Sequence, residues 1–354
     1  MSFFSILIAV LIFGFIIFVH ELGHFLSARA FGVKVYEFSI GMGPRLIWFD
    51  SKKTGTRYKI CMLPFGGYVS MAAEGEDDAA PSDDPHALTN QKPWKRFIIM
   101  AAGGVVNLVI GFILMFAVVL GSTMGSTVVA DHPEELKGNA STAEYLQKND
   151  VIVEIDGVRV HTMMELDYEL QRRGIEPIEV VVLRDTNGDS VPERIAMTLT
   201  FPTESISGQT VGTRDFKVYA KEKTFKSVLS DTWWRSTCTV RMVWESLFDL
   251  ITGRYGMEAV SGPIGITETV SNTVSYGFVP VLYLVALISI NLGVVNLLPI
   301  PALDGGRLVF LLIEIIFRKP VPKEIEAKIH GIALLLLLLL SVAVAVLDVR
   351  NIFN

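Results

Sequence analysis

The chain has 354 residues, 51% of them hydrophobic and 19% charged, a net charge of -6 and a mean hydropathy of +0.45. That balance excludes disordered, collagen-like and coiled-coil chains, gives no sign of nucleic-acid binding, and is too apolar for an ordinary soluble enzyme. Two cysteines, Cys61 and Cys238, are too few for a disulfide framework or a cysteine-type zinc site.

The apolar residues gather in runs of the length a bilayer requires. The first run, Phe3 to Val19, has no Lys or Arg before Arg29 and no small-residue cleavage pattern. Residues 1–32 therefore read as a retained membrane helix. Residues 33–71 place Tyr36 to Ile40 and Tyr58 to Pro64 among glycines, which predicts short β-segments at the membrane. Residues 72–96 open on an acidic stretch (Glu74, Glu76, Asp77, Asp78, Asp83, Asp84) and read as a solvated cytoplasmic linker. Residues 97–121 predict a second membrane helix.

Residues 126–201 predict a compact α+β module. Val151 to Val158 forms a strand pair around an Asp156-Gly157 turn, further strands lie at Ile178 to Leu183 and Ile195 to Phe201, and Met163 to Arg173 has helical spacing. Asp185 to Asp189 looks like the start of a calcium loop. Ala196 stands where that loop needs a glutamate, so a hairpin with an Asn187-Gly188 turn is the better reading. Residues 202–277 predict a connector with amphipathic helices, whose Trp233, Trp234 and Trp244 suit a lipid–water boundary. Residues 278–317 hold a third membrane helix and its continuation. Residues 332–349, with seven successive leucines, hold a fourth.

Lys and Arg near the span ends concentrate in residues 25–97 and 307–328. Both segments therefore read as cytoplasmic, with both termini and residues 122–277 outside. The predicted fold class is a polytopic α-helical membrane protein of about four transmembrane helices. It carries a membrane-associated β-region and an inserted extracytoplasmic α+β domain, and it resides in the inner or plasma membrane.

The chemistry sits at the end of the first run, in His20-Glu21-x-x-His24. Residues four apart share a helix face, so both imidazoles can reach one metal ion, and Glu21 can act as general base on a water there. The bland alternative is a set of buried polar residues satisfied by neighbours. At membrane depth that is costly unless the groups are paired, ligated or hydrated, and ligation answers it most simply. A catalytic zinc needs a third protein ligand. Asp304, in Asn296-Leu-Leu-Pro299-Ile-Pro301-Ala-Leu-Asp304-Gly305-Gly306, is the best candidate, since the prolines break the helix and leave groups that suit a cavity. A helix N-cap is the bland reading of Asp304. His330 is a weaker candidate ligand.

These two motifs together resemble the site-2 protease family of intramembrane zinc metalloproteases. The likeness covers most of the chain, and Leu146 to Gly157 looks like the core of the single PDZ domain of bacterial members. The resemblance implies one zinc ion per chain, held by His20, His24 and Asp304, with Glu21 as catalytic base. It implies substrate contacts from Asn296, from Gly41 and Gly43 in a membrane-dipping β-loop, and from Asn107 in Gly103-Gly104-x-x-Asn107. It implies substrates that are single-span membrane proteins, already trimmed outside by a site-1-type protease, with the bilayer as partner and no nucleic acid. Two other classes stay open on the residues. One is a PDZ-bearing membrane scaffold with a structural zinc. The other is an ion transporter, for which Glu314 is the one nearby further acid.

Overall fold

The computed structural model describes residues 3–72, 84–136, 138–139, 141–188, 190–206, 209–254 and 262–353. The linker acids Glu74 to Asp83, and Asp189, lie outside them. In chain order the elements are α1 (Phe3–Ala30), β1 (Val35–Asp50), β2 (Arg57–Met71), α2 (Pro93–Gly121), β3 (Gly125–Asp131), β4 (Val151–Ile155), β5 (Val158–Arg159) and α3 (Met163–Arg173). There follow β6 (Ile178–Arg184), β7 (Glu193–Leu199), β8 (Thr203–Ile206), β9 (Gln209–Gly212), β10 (Lys217–Ala220), α4 (Phe225–Thr252), α5 (Pro263–Ser275), α6 (Phe278–Leu297), α7 (Asp304–Phe317) and α8 (Lys323–Phe353). Four stretches among the described residues are helical, long and apolar enough to cross a membrane: Ile6–Ala30, Pro93–Gly121, Phe278–Leu297 and Lys323–Leu347. The chain divides into two compact units, Met1–Leu114 with Val240–Asn354, and Met115–Thr239.

In the first unit, β1 and β2 are far longer than the short segments the sequence suggests, because each bends back on itself. Ile40 pairs with both Gly67 and Ile60, and Phe38 with both Val69 and Tyr58. The result is a four-stranded sheet in the order 45–50, 57–61, 35–40, 67–71, whose two outer pairs run antiparallel. Gly41, Gly43 and Gly66 make the bends at φ +82°, +86° and +81°, where a side chain would be strained. Phe25 of α1 packs edge-on against Phe38 and Tyr58, at centroid distances of 5.1 and 5.8 Å, and ties the sheet to the helix.

The predicted third span is two helices. Pro299 and Pro301 cannot continue α6, so the chain turns through Ala302 at φ +74° and restarts at Asp304 as α7. A Cβ on Gly305 would lie 1.8 Å from the Leu298 carbonyl oxygen, so only glycine allows this return. Glu314, the acid that kept an ion path open, is bound by Arg96 of α2 at 3.0 Å to both carboxylate oxygens.

The second unit is an antiparallel sheet in the order β10-β3-β4-β6-β7, with β5 on β4 and α3 packed alongside. The predicted elements at 151–158, 163–173 and 178–183 fall where the sequence places them, with Asp156 and Gly157 both at positive φ in the turn. Asp185 accepts backbone N–H bonds from Gly188 and Ser190 in the β6–β7 hairpin, in keeping with the turn reading. The sheet extends past residue 201: β10 pairs with β3, and Phe216 lies with Phe201 in the core. The 202–277 connector thus begins inside this sheet and continues as α4 and α5. Thr162 and Glu165 form a capping box that starts α3.

Asp150 is wholly buried and holds the Arg184 guanidinium at 2.6 and 2.7 Å. Asp150→Ala would leave that cation unpaired in a largely buried site, and is expected to destabilise this unit by about 3 kcal/mol. Faster hydrogen exchange of β4 and β6 in the full chain would report it, while exchange in α1 and α6 stays unchanged.

Candidate active site

α1 is apolar on every side, so its polar exceptions stand out. His20 and His24 lie one turn apart, both at most 9% exposed. Their Nε2 atoms are 3.2 Å from each other. Asp304 Oδ2, contributed by the first residue of α7, lies 3.1 Å from His20 Nε2 and 3.2 Å from His24 Nε2. The structure thus brings the three candidate ligands into one nearly equilateral triangle.

That triangle fits zinc. Zinc–ligand bonds of about 2.0–2.1 Å at tetrahedral angles separate ligand atoms by about 3.3 Å. The orientation of the rings fits as well. His24 Nδ1–H donates to the Ile99 carbonyl at 2.8 Å, which turns the Nε2 lone pair toward the cluster. Asn296 of α6 brings its amide to 3.4 Å from His20 Nδ1, the nitrogen that points away from the triangle.

Glycines permit this assembly. A Cβ on Gly103 of α2 would fall 2.4 Å from His24 Nε2 and 2.8 Å from His20 Nε2, so the imidazoles occupy the space a side chain would take. Gly23 likewise lets α1 approach the Ala102 carbonyl, which a Cβ would meet at 2.5 Å. Glu21 projects toward the sheet: a Cβ on Gly67 would lie 2.9 Å from Glu21 Cγ. Gly67 pairs with Ile40, so the bent sheet reaches the carboxylate beside the ligands.

The remaining candidates are placed less directly. Gly41 and Gly43 pack on Leu63 rather than on the ligands. Asn107 lies one helical turn beyond Gly103, fully buried. Its side-chain amide has no hydrogen-bond partner among the described residues, while its backbone carbonyl accepts from Ser289 Oγ at 2.8 Å. His330 is outside the triangle. Its Nδ1 accepts the Ala302 N–H at 2.8 Å and holds the turn that delivers Asp304. His330→Ala is expected to cost about 1–2 kcal/mol of that turn's order, about a tenfold loss of metal affinity by competition with a chelating dye. His330→Gln, which keeps an acceptor, should recover part of it.

Gly67, Gly103 and His330 carry no local sign of these roles. Gly103 stands in a Gly-Gly pair inside an apolar helix, which hints at close packing without naming the neighbour.

Membrane-length helices around two imidazoles, a carboxylate and an adjacent glutamate define a class: polytopic membrane metallohydrolases. The profile of Peptidase family M50 matches residues 8–340. A candidate zinc metalloprotease of Fusobacterium nucleatum is 33% identical over 362 residues, 99% of this chain and 100% of that protein. One of Campylobacter jejuni is 36% identical, over 96% of this chain and 92% of its own. The zinc metalloprotease RasP of Shouchella clausii is 29% identical over 99% of this chain and its own full length. This chain belongs to peptidase family M50, and the site-2 protease resemblance is borne out.

Proposed function

We propose that this peptidase is an intramembrane zinc metalloendopeptidase that cuts the transmembrane segments of single-span membrane proteins. The observation that carries the reading is the His20–His24–Asp304 triangle, set among membrane-length helices with Glu21 adjoining it. Zinc is the metal, in keeping with the named relatives and the nitrogen and oxygen donors. His20, His24 and Asp304 would hold it, the three-ligand set of a metal that serves catalysis.

When bound, zinc supplies Lewis acidity, polarising a carbonyl and bringing the pKa of a water toward neutrality. Glu21 takes the proton of the attacking water and returns it to the leaving nitrogen. Asp304 balances part of the metal's charge, and Ile99 and Asn296 keep the imidazoles in register. A structural site has no use for a carboxylate next to its ligands, which disfavours the scaffold reading.

A helix hides its peptide bonds in its own hydrogen bonds, so a substrate must first be drawn out. The bends at Gly41 and Gly43, and Gly67 beside Glu21, support strand addition of an unwound substrate to this sheet. Asn296, whose amide reaches the ligand cluster, and Asn107, buried one turn beyond Gly103, are the further candidate substrate contacts. The second unit is a PDZ-like module, a docking platform or size filter for substrates trimmed by another protease. The Lys and Arg residues of 25–97 and 307–328 support a catalytic end facing the cytoplasm of an inner or plasma membrane, with the PDZ-like module and both termini outside.

The test uses full-length protein in vesicles with a purified single-span substrate. Cleavage should stop on treatment with 1,10-phenanthroline and return with added zinc. Cleavage that survives complete metal removal would overturn the reading.

A further inference from the structure

The face of the bent sheet that meets α1 does more than bring Gly67 to Glu21. Between Phe18, Leu22 and Phe25 of α1 and Ile47, Phe49 and Ile60 of the sheet lies a cavity of about 390 Å³. Its wall is almost wholly apolar side chain. Phe18 to Phe25 spans about 10 Å along the helix axis, so the cavity runs lengthwise beside α1. One end, at Ile40, Ile47 and Ile60, lies toward the bends. The other lies toward the β1–β2 turn, which Thr56 ties to the start of β1 by donating its Oγ1–H to the Val35 carbonyl at 2.9 Å.

Its outer wall is open. Ile47, Trp48 and Phe49 are 64%, 50% and 61% exposed, on a strand that among the described residues is paired along one edge only. Apolar exposure of this extent marks a binding or membrane-contact surface.

The charges at the turn end are arranged unequally. Arg57 is engaged by Asp50 and Glu37, and Lys59 by Glu37. Lys52 and Lys53, exposed at the tip, have no carboxylate partner among the described residues. The turn is nonetheless ordered, with Ser51 N–H on the Thr56 carbonyl and Gly55 N–H on the Ser51 carbonyl. An apolar slot thus ends near a turn that carries two exposed lysines.

We propose that this cavity seats one acyl chain of an anionic glycerophospholipid, with its phosphate on Lys52 and Lys53. A peptide laid against these side chains would strand its backbone N–H and C=O groups, whereas a methylene chain has none to strand. Two ammonium groups above an apolar slot complement a phosphate carried on a hydrocarbon tail. The inference needs the membrane-length helices and the sheet. It does not depend on the catalytic assignment.

The test reconstitutes the full chain in phosphatidylcholine vesicles and adds either phosphatidylglycerol or phosphatidylcholine brominated in the acyl chain. Quenching of Trp48 is read as the difference between the chain and its Trp48→Phe form. Brominated phosphatidylglycerol should quench saturably, at about twentyfold lower membrane fraction than brominated phosphatidylcholine, since each basic residue near a phosphate contributes about fivefold. The K52A/K53A double variant, altered only at exposed positions, should bring the two lipids together. Ile60→Phe, which takes up cavity volume from a half-exposed position, should remove the saturable part. Equal, non-saturating quenching by both lipids in every form would mean bulk lipid contact only and would sink the proposal. So would a Trp48 that lipid reaches only after a dimer dissociates, or one that added single-span substrate shields, because a second copy or the substrate would then own the cavity.

Discussion

Glu21→Gln is expected to lower kcat by about 10³–10⁴-fold, the usual worth of a positioned general base. Zinc content should stay stoichiometric, because none of the three triangle atoms belongs to residue 21. Glutamine keeps the size and a hydrogen-bonding oxygen, so the packing against Gly67 survives and the proton-accepting oxygen alone is lost. Two measurements together decide the matter: turnover of a single-span substrate in vesicles, and metal by atomic absorption on the same preparation. Loss of both would mean that residue 21 acts through the fold or the metal. Retention of both would end its role as base. His24→Ala supplies the contrast, since it should lose activity and metal together.

The parts of this site legible in the sequence are those in which the chemistry conflicts with local surroundings. His20, Glu21 and His24 stand in an apolar helix, where polar groups need a reason, and their spacing alone puts the imidazoles on one face. Asp304 is 280 residues from His24, yet the same cost argument singles it out, because it follows an apolar run broken by two prolines. The helix break between α6 and α7 is legible for the same reason. The bent sheet is not. Its two long strands double back at glycines, and a glycine in a β-segment does not say whether the chain turns, bulges or bends. The strand β10 is equally hidden, since Lys217 to Ala220 acquires its partner from β3, nearly ninety residues earlier. Gly103 and Gly67 carry no side chain whose misplacement could be noticed. Their meaning lies in what occupies the space above them, and that is tertiary information.

Gly103→Ala should therefore do what no inspection of α2 alone would suggest. Alanine is the better helix former, and in an isolated apolar helix the change would stabilise by about 1 kcal/mol. Here the new methyl would sit 2.4 Å from His24 Nε2 and 2.7 Å from His20 Cε1. The obstacles are not flexible side-chain ends free to turn aside. His24 is pinned by its hydrogen bond to Ile99, a residue of the same helix as Gly103, so α2 would have to push away the ring it also holds. Zinc affinity is expected to fall by at least about 100-fold, the upper end of what perturbing a ligand's support costs, with activity falling alongside. Gly104→Ala is the informative neighbour. Its methyl meets the Leu297 side chain at 2.7 Å, which a rotamer change relieves at the expense of helix packing. It should cost stability before it costs metal. Gly331→Ala, on α8 with open space around its Cβ, should be neutral or slightly stabilising. Zinc competition titrations on the three variants separate these outcomes. Normal zinc affinity in Gly103→Ala would show that α2 does not press on the imidazoles, and the triangle would then need another explanation for its shape.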